Sequence, residues 1–165
     1  MIEKIKTYNI AVVGDFCLDE YIYSISEKLS PEFPVLRTIV TKKEYVPGGA
    51  GNVALGIQAF GSNCFAIGVI GKDENGNNLI KALKEQKINT DQLMQLDERK
   101  TPTYSRIIAD NKSKSQHIAR FDVENEKGFD KKIESIVISN LNKIINKIDA
   151  VIVADYDEQE TGLIS

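Results

Sequence analysis

Tryptophan is absent from these 165 residues, histidine occurs once and cysteine twice. With His117 as the sole imidazole, neither a metal site built on two histidines nor a cluster needing a second one can form. His117 lies in a polar alternating stretch and is expected at the surface. Cys17 and Cys64 lie far apart inside apolar runs. Both are expected to be small core residues in a reducing compartment, without a disulfide or a shared metal.

No apolar run reaches the ~18–20 residues that a membrane helix needs, and the start of the chain lacks the charged head, apolar stretch and cleavage site of a secretory signal. Basic charge is not in excess: 21 Lys and Arg against 24 Asp and Glu leave a net charge of −3, which argues against a nucleic-acid or anionic-membrane partner. The Lys112–Lys114 run with its serine neighbours reads as a solvated turn. What is present is ordinary for a globular protein, 42% hydrophobic and 27% charged, in a length that suits one domain with a real core. A cytoplasmic location is expected.

Asn9–Gly14 is a short apolar run of the kind buried on both faces of a parallel sheet. Leu18–Ser26 and Pro34–Tyr45 alternate loosely between apolar and polar residues, as half-exposed antiparallel strands do, with Ser30–Pro34 as the turn between them. A helix is expected from about Asn52 to Phe60, ended by Gly61. Cys64–Gly71 is a second buried strand, and Asp73 can cap a helix running to about Gln86, with Leu79, Ile80 and Leu83 on one face. Thr103–Ala109 and Gln116–Asp122 read as a hairpin about a polar turn, with Arg106 and Arg120 on its arms. A long helix from about Asp130 to Asn146 repeats Ile133, Ile136, Val137, Leu141, Ile144 and Ile145 at helical spacing. Asp149–Asp155 is a third buried strand. This order gives βαβ units: an α/β fold with a parallel sheet of three main strands between helices, and a small sheet made by the two polar excursions. Three strands leave an edge and a thin helical layer, which reads as an unfinished sheet.

Open α/β sheets bind ligands at the carboxyl ends of their strands. Three features fall there. Asp15 follows the first strand, where a carboxylate can accept from hydroxyls. Gly48 and Gly49 enter a helix, where backbone N–H groups lack partners and no Cβ keeps a ligand away. Asn52 offers both a donor and an acceptor. Taken singly, Asp15 can cap a turn, the glycine pair can be a tight turn, and Asn52 a helix cap. Together, at the place the topology reserves for ligands, they point to a polyol site.

The series Val12-Val13-Gly14-Asp15-Phe16-Cys17-Leu18-Asp19, Leu29-Ser30-Pro31-Glu32-Phe33-Pro34 and Pro47-Gly48-Gly49-Ala50-Gly51-Asn52 resembles the start of the PfkB, or ribokinase-like, carbohydrate kinases. Gly71-Lys72-Asp73-Glu74-Asn75-Gly76, Thr103–Ala109, Ile118–Asp122 and Asp155-Tyr156 continue the likeness in order. It is similar in particular to the heptose-7-phosphate kinases of lipopolysaccharide biosynthesis. The resemblance implies that residues 1–165 are the N-terminal part of a ribokinase-like domain, a parallel sheet flanked by helices with a small antiparallel β lid of segments 17–46 and 102–123. It implies the sugar-binding half of an ATP-dependent kinase acting on a sugar phosphate such as D-glycero-D-manno-heptose 7-phosphate. Asp15, Gly48, Gly49 and Asn52 match positions that hold sugar hydroxyls. Arg106 and Arg120 could meet the substrate phosphate, or pair with Asp122 or Glu124. Asp19 and Asp155 are weaker candidates. A homodimer through the lid is also implied, as are ATP and Mg²⁺ in the parent enzyme.

Two departures matter. The family follows its Asp-Tyr with a small residue, a Lys and a Gly, whereas here Asp155-Tyr156 leads into Asp157-Glu158-Gln159-Glu160-Thr161-Gly162. The family's Gly-Ala-Gly-Asp motif, which carries the catalytic base and an anion hole, is not reached by Ser165. No catalytic residue and no tight binding of ATP or Mg²⁺ are therefore expected of this chain, which is expected to be catalytically incomplete alone. Two rival readings stand beside this one. Gly49-Ala50-Gly51-Asn52-Val53-Ala54 also satisfies a dinucleotide-binding fingerprint, but it does not follow the first strand directly, and the next strand ends in Gly71 instead of an acidic residue. The other rival is a sugar-binding or dimerisation module with no chemistry of its own.

Overall fold

The computed structural model describes residues 7–111, 114–156 and 161–164. The main sheet contains β1 (Asn9–Gly14), β4 (Asn63–Gly71), β5 (Asn89–Leu96) and β8 (Ala150–Ala154). All are parallel and ordered β5-β4-β1-β8. Side chains along a strand alternate faces, and β1 divides accordingly. Val12 joins Ala66, Ile70, Leu79 and Leu83 on one side. Ala11 and Val13 join Ile67, Val69, Val137 and Ile144 on the other. The first cluster packs under α1 (Ala50–Ala59) and α2 (Glu74–Glu85), the second under α3 (Lys131–Ile144). Helix ends follow local chemistry: Asp73 accepts from the Gly76 N–H at 2.7 Å and Asp130 from the Ile133 N–H at 2.9 Å, and Gly61, with φ +83°, follows the end of α1.

Two expectations are corrected. Among the described residues the main sheet has four strands, because Asn89–Leu96 forms β5. Its Asp91, Gln92 and Gln95 blur the apolar signature, and an edge strand tolerates that because one side faces solvent. The expected third buried strand is the opposite edge: Val151 and Ile152 are each 37% exposed, Val153 is 59% exposed, and only Ala154 in β8 is buried. Among the described residues β8 pairs with β1 alone, so its other edge is uncovered despite its apolar composition.

The second sheet is built from β2 (Phe16–Leu29), β3 (Leu36–Gly49), β6 (Thr103–Asn111) and β7 (Lys114–Val123), ordered β3-β2-β6-β7. Both polar excursions are antiparallel hairpins, as expected. They meet through a parallel pair, β2 with β6, so the sheet is mixed, not purely antiparallel. Both first strands leave the main body in the same direction and so lie parallel. Buried Glu20 ties three strands together, accepting from Lys43 Nζ at 2.8 Å and Ser105 Oγ at 2.6 Å. Burial alone would raise its carboxyl pKa, but the bonds from Lys43 and Ser105 bring it below the ordinary 4.5. Of the expected solvated lysine turn, Lys114 is exposed and residues 112–113 lie outside the described residues. His117 is exposed, as expected.

Two stability predictions follow from these contacts. A Cβ on Gly14 would stand 2.0 Å from the Ala154 carbonyl oxygen, so Gly14→Ala should force β1 and β8 apart at a cost of about 2 kcal/mol, read by urea unfolding. The depressed Glu20 pKa means its contribution is complete above pH 4.5 and is lost as pH falls through the folded value. Glu20→Gln should therefore lower stability near neutrality by about 1 kcal/mol and flatten the loss on acidification, measured by thermal melts across the acid range.

Candidate functional site

A cleft of about 430 Å³ opens where the carboxyl ends of β1 and β4 meet the base of the outer sheet. Asp15 is the single residue between β1 and β2, and its backbone is held from two sides. Its N–H donates to the Ala154 carbonyl at 3.2 Å, and its own carbonyl accepts from the Ala50 N–H at 2.8 Å. Its carboxylate accepts from the backbone N–H of Leu163 at 2.6 Å and, more weakly, of Tyr156 at 3.4 Å. The carboxylate is thereby fixed in the cleft wall.

Pro47-Gly48-Gly49 is not a turn. It is the last stretch of β3, pairing with Leu18, Cys17 and Phe16, and α1 begins directly at Ala50, two residues before the expected start. Gly49 makes this possible. It sits at φ 56°, ψ −126° as the N-cap of α1, and a Cβ there would lie 2.4 Å from the Asp15 carbonyl oxygen. The strand therefore runs into the helix without a loop, and first-turn N–H groups open beside Asp15. Asn52, in that turn, lines the cleft and is exposed.

The outer sheet supplies cations. Arg106 on β6 and Arg120 on β7 stand directly opposite each other in register. Arg106 Nη1 donates to Asp19 Oδ1 at 2.6 Å, and Arg120 Nε to Asp122 Oδ1 at 2.7 Å. The guanidiniums also lie over aromatic rings, Arg106 at 5.3 Å from Tyr21 and Arg120 at 4.5 Å from Tyr104. Hydrogen bonding to Asp19 and to Asp122 raises the respective guanidinium pKa, so both stay charged.

Asp15, Asp19, Gly49, Asn52, Arg106 and Arg120 thus share one cleft. Two expected members do not line it. Gly48 is buried beneath it, where a Cβ would come within 2.7 Å of both Asp19 Oδ2 and Cys17 Sγ; its bareness gives the Asp19 carboxylate room. Asp155 is exposed at the end of β8, and its neighbour Tyr156 reaches the cleft instead. Cys17 is only partly buried, in the cleft wall and not in the core, because β2 alternates and its odd positions turn away from Phe16 and Leu18. Burial, aided by Asp19, pushes its thiol up to about 12, which leaves it protonated and unreactive.

Sequence reasoning missed Arg99, which donates to the Thr161 carbonyl at 3.1 Å and stacks 3.9 Å from the Phe129 ring. It also missed Asn125, which brackets the Lys100 backbone with bonds of 3.0 and 2.9 Å. Arg99 and Asn125 find these partners only across the fold, which local sequence does not reveal. The segment that departs from the family pattern falls largely on residues 157–160, outside the described residues.

Comparison with known proteins agrees with this geometry. The bifunctional protein HldE of Sulfurimonas denitrificans is 38% identical over 155 residues, covering 94% of this chain and 32% of that protein. Its counterpart in Helicobacter pylori is 37% identical, covering 90% and 31%. The chain thus spans about a third of the length of the curated relatives it matches. Among solved structures, Escherichia coli phosphofructokinase-2 in complex with fructose-6-phosphate superposes with a TM-score of 0.59 at 15% identity, over 90% of this chain and 45% of that one. Arabidopsis thaliana ribokinase complexed with ribose and ATP gives 0.55 at 16% identity, over 90% and 53%. These two share the fold. The family model for pfkB family carbohydrate kinases matches residues 8–160, and with a cleft of this construction the chain belongs to that family.

Proposed function

We propose that this chain is the sugar-binding part of an ATP-dependent kinase whose substrate is a sugar already carrying a phosphate, such as D-glycero-D-manno-heptose 7-phosphate. One observation supports the reading: a single cleft brings Asp15 and Asn52 at the helix entry together with Arg106 and Arg120 on the outer sheet. Carboxylates of Asp15 and Asp19 accept from hydroxyls, while Asn52 and the first-turn amides of α1 donate. A guanidinium has five N–H donors, so Arg106 and Arg120 can meet a phosphate while keeping contact with Asp19 and Asp122. The outer sheet acts as a lid whose closure excludes water from the reacting hydroxyl.

Phosphoryl transfer depends on placing the acceptor in line and stabilising charge. The groups of this chain do the first: they bind and orient the sugar. ATP, arriving with Mg²⁺, supplies the phosphoryl group; its site and the base that takes the hydroxyl proton are proposed to lie in the longer protein of which this chain covers part. A cytoplasmic role in heptose supply for lipopolysaccharide accords with such a reaction.

The lid also bears the apolar surface expected of a homodimer. Leu29, Phe33, Leu36, Ile39 and Val40, on and around the β2–β3 hairpin, are each more than half exposed, more apolar surface than one hairpin leaves in water without cause.

Calorimetric titration of the chain with heptose 7-phosphate, free heptose and NAD tests the substrate reading. The phosphorylated sugar should bind best; Arg106→Ala should weaken it about tenfold, the scale of one charge-assisted contact, and leave free heptose unchanged. Asn52→Ala should weaken both sugars. Binding of NAD without sugar would overturn the reading. Sedimentation should give a dimer that Ile39→Glu converts to a monomer; a monomeric parent chain would dispose of the lid interface.

A further inference from the structure

The Gly71–Gly76 motif takes no direct part in the cleft, yet its central carboxylate makes more contacts than a helix cap requires. Asp73 Oδ1 accepts from the Gly76 N–H at 2.7 Å, which caps α2. The same oxygen accepts from Thr101 Oγ1 at 2.7 Å, and Oδ2 accepts from the Thr101 N–H at 2.8 Å. Thr101 is fully buried, and its hydroxyl accepts in turn from the Gly71 N–H at 3.0 Å. The approach is close enough that a Cβ on Gly71 would lie 2.6 Å from the Thr101 nitrogen. A cap alone needs one acceptor, which Ser or Asn provides equally well. The second oxygen has a different task.

Thr101 stands where the chain leaves the main body for the outer sheet. The next residue, Pro102, accepts from the Leu18 N–H at 2.8 Å, and Thr103 opens the β2–β6 ladder opposite Leu18. One turn of register further, Asp19 pairs with Tyr104, and Arg106 follows on the same strand. We infer that Asp73 is a positioning residue for the outer sheet: through Thr101 its carboxylate fixes the exit of β6 and so places Arg106 in the cleft. Only the effect on ligand rests on the sugar-phosphate reading; the effect on the sheet stands apart from it. The carboxylate remains charged for this task, since burial, which alone would raise its pKa, is outweighed by the bonds from Thr101 and Gly76.

The test compares Asp73→Asn with Asp130→Asn. Asparagine retains Oδ1 for Gly76 and the Thr101 hydroxyl but turns an amide donor toward the Thr101 N–H, so only that bond fails. Asp130 caps α3 through the Ile133 N–H and serves as the control for simple loss of a charged cap. In Asp73→Asn, hydrogen exchange at β6 and β7 amides should rise about tenfold while β1 and β4 stay unchanged, the pattern of local opening. The preference for heptose 7-phosphate over free heptose should fall about fivefold, a ratio that a cap alone would not move. Asp130→Asn should do neither. Thr101→Val keeps the α2 cap and the Thr101 N–H bond but removes the hydroxyl's bond to Asp73 Oδ1. It cuts the second link between the same two residues, should raise β6 and β7 exchange in the same pattern, and guards against a poorly folded Asp73 variant. Unchanged or uniformly raised exchange in both Asp73→Asn and Thr101→Val would overturn the inference. If the unaltered chain shows no preference for the phosphorylated sugar, the functional reading fails, and exchange alone decides the role of Asp73.

Discussion

The architecture turns on the close approach of three backbones at Asp15. Its N–H reaches the end of β8, its carbonyl receives the first N–H of α1, and β2 starts at the very next residue. Side chains would prevent this. Gly14 has no room for a Cβ against Ala154, and Gly49 has none against Asp15 itself. Two bare positions thus let the main sheet, a helix N-terminus and the outer sheet meet at one residue, whose carboxylate is then held at the junction. A ligand-binding crevice at the carboxyl end of a parallel sheet is a general consequence of such topology; its polar lining here comes from which side chains border that junction.

The two facing arginines of the outer sheet are each paired with a carboxylate. Two arginines facing each other across a β ladder would repel, and Asp19 and Asp122 each take one of them. Tyr21 and Tyr104 lie beneath the guanidiniums, which holds them in place at little conformational cost. Such an arrangement keeps the cationic groups preorganised, with Arg106 half-buried and Arg120 exposed. Glu20 plays the corresponding part within the outer sheet, where Lys43 and Ser105 satisfy a carboxylate that burial would otherwise penalise.

The outer sheet is widely exposed, half the residues of β3 and most of those of β7 among them. Its stability depends on the parallel seam between β2 and β6, reinforced by Ser24 Oγ donating to the buried Ile108 carbonyl at 3.0 Å. Most of its exposed large apolar residues lie on and around the β2–β3 hairpin, with Phe121 on β7, and Leu29, Phe33, Leu36, Ile39 and Val40 do not line the cleft.

Much of this was legible in the chain itself. Central strands β1 and β4 announce themselves as unbroken apolar runs because both faces are covered, and Asp73 and Asp130 mark helix starts through local chemistry. Asp15, Gly49 and Asn52 could be expected to share one cleft because the strand-to-helix topology dictates where loops converge, whereas Gly48, expected with them, is buried beneath it. Edges were not legible: β5 carries polar residues that an edge permits, and β8 is apolar in composition yet exposed in fact. Nor could sequence choose the partner of Arg106, since Asp19 lies far from it along the chain and comes within 2.6 Å only through the β2–β6 seam. Local patterns thus determined the elements and the region of the site, because caps, periodicity and glycine act within a few residues. Ion pairs, the mixed outer sheet and the double duty of Asp73 were decided by tertiary structure, because each depends on strands brought together from distant parts of the chain.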